Sequence, residues 1–365
     1  MNQPTQTNLV AFVGTYTSAT SATVKPVPPS RGIYAFGVDE ATGDFKPSAT
    51  AYTTNPSFLA VHPAHTHLYA VNEGEASVAA FAIVSPHGEL RLINQQHTIG
   101  TAPCHLVVDA TQRHLIVANY GTGSVALFPI NPEGGLGRMS DFVQQVGRGP
   151  NPARQEGPHA HSVTLSPDNR FVFVCDLGLD RVFVYRLDGE RGRLVPNGSA
   201  AVPVGAGPRH FSFHPSGKFA YCINELAGSI TAFAYDGAHG HLVPVQTIAT
   251  LPHGFAALNY CADIHVHASG KFVYGSNRGH DSIAVFAVDE ATGQLAPRGH
   301  APTLGEWPRN FAISPNGQFL FAANQETDTI VRMRINPATG ALSEPTTVAT
   351  PSRPVCIKFA HLPHR

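Results

Sequence analysis

His161, Arg209, Glu225, Arg278 and Arg309 are one imidazole, three guanidiniums and one carboxylate, all at equivalent places in a repeating chain. Guanidiniums stay charged and pair with carboxylate or phosphate in a forked geometry, so three of them suit an anionic, oxygen-rich substrate. A histidine changes charge near neutral pH, and a suitably placed carboxylate can also carry a proton, so His161 and Glu225 are both candidate general bases. His161, Arg209, Glu225 and Arg278 are the catalytic candidates; Arg309, His159 and Glu73 are candidate substrate-binding residues. Arg31 and Arg154 stand in loops whose course the sequence leaves open.

The elements that must position these residues follow from a repeat. Asn72, Asn119, Asp176, Asn224, Asn277 and Asn324 each end an apolar run, and six residues later Val78, Val125, Val182, Ile230, Ile283 or Ile330 starts the next. The anchors recur about every fifty residues, the spacing of a repeat architecture. One unit reads from Gly207 to Leu242 as four short apolar or alternating runs, broken by His214-Pro215-Ser216-Gly217, by the loop after Asn224 and by Asp236-Gly237. Such runs between Pro, Gly, Asn and Asp turns are strands and hairpins, and no segment has the pattern of an amphipathic helix.

Four antiparallel strands per repeat describe a propeller blade. Six repeats leave Val10–Val13 and Ile33–Phe36 at one end and Pro354–Phe359 at the other. Joined, these predict a seventh blade that closes the ring and removes its open edges. The expected fold is therefore all-β, a single seven-bladed propeller domain over residues 1–365, with residues 1–9 disordered. In a hairpin the start of one strand neighbours the end of the next. Sixteen residues before the anchors lie Pro56-Ser57, Pro103-Cys104, Ala160-His161, Pro208-Arg209, Cys261-Ala262 and Pro308-Arg309. The residues after the anchors are Glu73, Tyr120, Leu177, Glu225, Arg278 and Gln325. Both sets should ring one mouth of the axis, with Glu225 across its hairpin from Arg209. The anchors themselves recur in every repeat and read as turn-formers.

Composition narrows the partners. A net charge of −1 with few lysines argues against nucleic acid or a membrane surface. No apolar stretch reaches the roughly 20 residues that span a bilayer. Met1–Leu9 lacks the basic and apolar parts of a signal peptide, so a cytoplasmic location is expected. Five cysteines, odd in number and without metal-site spacing, read as buried thiols in a reducing compartment. His65/His67, His159/His161 and His265/His267 fall at different heights of their repeats, so no metal and no cofactor is expected. Trp307, beside Pro308-Arg309, reads as a packing residue, and no Cys–His pairing suggests a covalent intermediate. The oligomeric state, monomer or weak dimer, is left open.

Phe12-Val13-Gly14-Thr15-Tyr16-Thr17, Gly157-Pro158-His159-Ala160-His161-Ser162, Gly207-Pro208-Arg209-His210 and Ser276-Asn277-Arg278-Gly279-His280-Asp281-Ser282 resemble the seven-bladed lactonase family. It contains propeller-type 6-phosphogluconolactonases and carboxy-muconate lactonizing enzymes, and the resemblance covers essentially the whole chain. It implies a catalytic set in which His161, Arg209, Glu225 and Arg278 take the places of the family's His, Arg, Glu and second Arg. His159 competes for the His place. The expected activity is hydrolysis of a sugar-acid lactone, foremost 6-phosphogluconolactone, without a metal. The rival readings are a muconate-type cyclase and a propeller that only binds.

Overall fold

The Asn224 repeat shows why the chain folds as it does. Pro208–Phe213, Phe219–Asn224, Ser229–Asp236 and His241–Ala249 pair antiparallel in that order. Every residue of Phe219–Asn224 is buried, because both faces of this strand meet neighbouring sheets. His241–Ala249 is mostly exposed or half-exposed, as an outermost strand should be. The turn between the first two strands needs a left-handed residue, and Gly217 supplies it at φ +67°.

The same unit recurs around a ring in this computed structural model, which describes residues 7–19, 25–26 and 29–363. Blades 1 to 6 occupy residues 59–97, 103–144, 160–201, 208–249, 260–302 and 308–349. Blade 7 is assembled from both chain ends in the order Pro354–Pro363, Thr7–Thr15, Gly32–Val38 and Phe45–Tyr52. Its closing pair runs from Thr7 opposite Pro363 to Thr15 opposite Pro354. The expectation of a disordered stretch over residues 1–9 is therefore corrected for Thr7, Asn8 and Leu9, which begin a strand; residues 1–6 lie outside the described residues. Among the described residues the helical structure is one 3-10 turn, Glu73–Glu75.

The core lies between blades. Phe173 of blade 3 stacks on Phe211 of blade 4 with ring centroids 5.4 Å apart and planes 3° from parallel. Fully burying such a side chain contributes about 1.5–3 kcal/mol. The Asn anchors are buried brackets: the Asn224 amide donates to Ser229 and Thr231, and the Asn277 amide donates to the Thr250 carbonyl and Ser282. They hold the second strand to the third and to the preceding loop.

A bulge near the start of the first strand aims the site residues. Pro103, Ala160, Pro208 and Pro308 pair with Asn119, Asp176, Asn224 and Asn324, and pairing resumes one residue out of step at His105, Ser162, His210 and Asn310. Cys104, His161, Arg209 and Arg309 are the extra residues in between. A bulge twists the strand and redirects the side chain it carries. Consecutive Arg209 and His210 thus both reach the ring axis, where a regular strand would send them to opposite faces.

Candidate active site

Glu225 is the hub of the mouth formed by these bulges and by the loops after the second strands. Its carboxylate lies 2.9 Å from Arg209 Nε, 2.8 Å from Arg278 Nη2 and 2.5 Å from Arg154 Nη2. The Arg209 contact is an ion pair by distance rather than an aligned hydrogen bond. Arg278 is fixed further by donating from Nη2 to the Cys261 carbonyl at 2.8 Å. Burial alone would raise the Glu225 carboxyl, but Arg278, Arg209 and Arg154 overcome it and hold the group well below the ordinary carboxylate range. Glu225 is a permanent anion with three cations on it, and a very weak base.

His161 faces this hub, with Nε2 3.9 Å from Glu225 Oε2. Burial and then the positive charge of Arg209 push its pKa well below 6.5, so the imidazole is neutral at neutral pH. Arg209 is pulled down to about 9 by burial and by repulsion from Arg278 and Arg309, and still carries its charge there.

The cavity in front of these groups has a volume of about 510 Å³. Its second wall is Arg309, whose guanidinium lies 5.6 Å from the Tyr16 ring centre. The Tyr16 hydroxyl donates to Glu73 at 2.9 Å, and Glu73 is buried. Among the described residues Arg309 has no carboxylate within 4.0 Å, unlike Arg154, Arg209 and Arg278. The mouth therefore holds four guanidiniums against the carboxylates of Glu225 and Glu73, an excess of two positive charges.

The structure brings together six of the seven residues singled out in the sequence: His161, Arg209, Glu225, Arg278, Arg309 and Glu73 line the cavity or the void behind it. His159 stands apart. Its ring stacks on Tyr120 at 4.5 Å, with Nδ1 3.0 Å from the Tyr120 carbonyl and Nε2 3.2 Å from Glu156. It backs Tyr120, whose ring lines the cavity, and does not reach the cavity itself. Arg31 packs over Tyr52 beside the outer strands of blade 7 and does not line the cavity.

Three features departed from sequence reasoning. Arg154 enters the site from the loop between blades 2 and 3, anchored by fully buried Gln155, whose amide donates to the Leu177 carbonyl and to Asp180. That loop belongs to no repeat, so periodicity gave no signal for it. Trp307, expected to pack, lines the cavity with its ring 5.6 Å from the Arg278 guanidinium. Cys104 lies 3.8 Å from His161 Nδ1, a Cys–His contact that spacing did not reveal. Burial, reinforced by the Glu73 carboxylate, raises the Cys104 thiol far above its ordinary range, so both partners are neutral and no thiolate–imidazolium pair forms.

No group of three or more His, Cys, Asp or Glu among the described residues is arranged to hold a metal ion. The paired histidines serve other ends: His65 Nδ1 meets the His361 carbonyl, and His267 Nε2 the Gly317 carbonyl. No helix among the described residues is long and apolar enough to cross a membrane.

Comparison with known proteins gives the family. The sequence matches the family described as lactonase, 7-bladed beta-propeller, over residues 10–359. It is 38% identical over 359 residues to a 6-phosphogluconolactonase of Bacillus subtilis, covering 97% of this chain and 99% of that one. A 6-phosphogluconolactonase of Formosa agariphila is 36% identical over 316 residues, covering 84% and 86%. Among solved structures, the periplasmic gluconolactonase of Pseudomonas aeruginosa superimposes with a TM-score of 0.88 at 33% identity, covering 98% and 99%. The chain belongs to the seven-bladed β-propeller lactonase family.

Proposed function

We propose that this protein hydrolyses 6-phosphogluconolactone to 6-phosphogluconate by metal-independent acid/base catalysis. The observation that carries the reading is the cavity's charge: four guanidiniums against two carboxylates around a neutral imidazole. The excess of two positive charges matches one phosphate dianion. Arg309, free of a carboxylate partner among the described residues, holds the phosphate, with Arg154 at the cavity edge.

His161, not Glu225, is the general base. Glu225 is held as an anion by three guanidiniums, whereas the His161 ring has a free lone pair at neutral pH. His161 takes a proton from water as the hydroxide adds to the lactone carbonyl carbon. Arg209 and Arg278 stabilise the oxyanion, a role for fixed, buried cations. The acyl–oxygen bond then breaks and the ring oxygen leaves with the proton from His161, opening the ring to the acid. Glu225 keeps the guanidiniums in place. The neighbouring phosphate favours the imidazolium during the transfer, offsetting the cationic surroundings.

The five free cysteines are all buried, which favours the cytoplasm for this member although the Pseudomonas structure is of a periplasmic protein. The test is coupled detection of 6-phosphogluconate from freshly made lactone, with wild type and Arg209→Ala, with and without chelator. Acceleration over the spontaneous rate, reduced about 10²- to 10³-fold in the variant and indifferent to chelator, is expected. No acceleration, or turnover of a carboxy-muconate alone, would overturn the assignment.

A further inference from the structure

Behind Arg209 a chain of polar groups, buried except for half-exposed His265, leads along the ring axis toward the opposite mouth, and none of it touches the cavity. Arg209 Nη1 donates to the Ala262 carbonyl at 2.6 Å and lies 3.1 Å from His210 Nε2. A guanidinium has only donors, so His210 Nε2 must accept and its proton must sit on Nδ1. That proton is directed at Asp263 Oδ1, 2.7 Å away. The other carboxylate oxygen receives His265 Nε2 at 3.1 Å and Asn310 Nδ2 at 2.5 Å, while the Ile264 amide donates to Oδ1 at 2.9 Å. Asn310 is fixed in turn by accepting from the Ile357 amide at 2.8 Å. Residues of blades 4, 5 and 6 thus converge on one carboxylate, and blade 7 braces Asn310.

We propose that His210 and Asp263 are positioning residues for the reaction: Asp263 sets the tautomer of His210, and His210 holds the Arg209 guanidinium toward Glu225 and the substrate. The proposal rests on the lactonase reading of the site for its kinetic consequence. Arg209 needs such support because it is the bulged residue, with no strand partner opposite its backbone. His210 is 5% exposed and Asp263 3% exposed. A buried carboxylate is a costly way to fill an axis that apolar side chains could pack. Burial would raise the Asp263 carboxyl, but His265 and His210 hold it well below its ordinary range, so it remains an acceptor. His210 falls to about 4 through burial and the charge of Arg209, and remains neutral with its Nε2 lone pair available.

Asp263→Asn tests the tautomer. Three donors (His265, Asn310 and the Phe311 amide) face Oδ2, and two (His210 and the Ile264 amide) face Oδ1. The new amide nitrogen is therefore expected on the Oδ1 side. His210 would answer by moving its proton to Nε2, setting donor against donor at Arg209. The expected result is a fall in kcat of about 10- to 100-fold, short of the loss of a whole oxyanion donor, with KM changed less than about threefold. His210→Gln, which keeps an acceptor, should retain more activity than His210→Phe, which keeps only the volume. In an Arg209→Ala background, His210→Phe should cost no further activity, since its action runs through the missing guanidinium. Unchanged kcat in a folded Asp263→Asn, or an equal loss from His210→Phe in both backgrounds, would overturn the proposal. Nitrogen-15 chemical shifts of His210 report the tautomer without turnover. Protonation at Nδ1 in wild type and at Nε2 in Asp263→Asn is expected; the same tautomer in both would refute the chain even if wild type hydrolysed no lactone.

Discussion

Arg209 Nε lies 2.9 Å from Glu225 Oε2, although neither side chain reaches solvent, at 3% and 4% exposure. Removing two charges from water costs several kcal/mol per ion, and the attraction between them offsets this only with good geometry and further partners. Glu225 has those partners in Arg278 and Arg154. The pair is best understood as the frame of the site, because it fixes where the guanidiniums point.

Glu225→Gln should accordingly harm stability as well as turnover. Breaking one side of a buried pair costs about 3–5 kcal/mol, here with three guanidiniums left uncompensated. Because the folded carboxyl lies below its unfolded value of 4.5, its stabilisation is full above that value and is lost as pH falls below it. Denaturant midpoints of variant and wild type should differ most near neutrality and converge below pH 4.5. A constant difference across that range would contradict the charged hub.

The depressed pKa of His161 gives a pH signature. The base is neutral wherever pH exceeds its folded pKa, which lies well below 6.5. The profile of kcat/KM should stay level as pH is lowered through 6.5 and fall only beyond it. An acid limb centred at or above 6.5 would point to another base. His161→Gln should lower kcat by about 10²- to 10⁴-fold with little change in KM.

Arg309→Ala should act on binding. Its guanidinium has the Tyr16 ring beside it and no carboxylate within 4.0 Å among the described residues. KM for the phosphorylated lactone should rise about tenfold or more, the size of one lost charge-assisted contact. KM for an unphosphorylated gluconolactone should change little. Equal effects on the two substrates would take the phosphate away from Arg309.

Cys104→Ser separates contact from catalysis. The thiol is 3.8 Å from His161 Nδ1, yet burial keeps it protonated. Turnover within about threefold of wild type is expected, as for a substitution outside the chemistry. A loss comparable to that of His161→Gln would instead make Cys104 a nucleophile.

What the sequence determined on its own is everything that repeats or is local. The Asn anchors, the turns such as Pro215-Ser216-Gly217 and the apolar second strands specify blades, because strand period and turn chemistry act over a few residues. Counting back from the anchors located His161, Arg209 and Arg309, since hairpin register depends only on spacing. Tertiary structure alone decided the rest. It laid the His159 ring behind Tyr120 and brought Arg154 from an irregular loop onto Glu225. It also bonded Glu73 of blade 1 to Tyr16 of neighbouring blade 7. The choice between His161 and Glu225 as base belongs to the fold as well. A residue's type gives only its ordinary pKa, whereas burial and the guanidiniums gathered from three blades and a loop set the one at which it works.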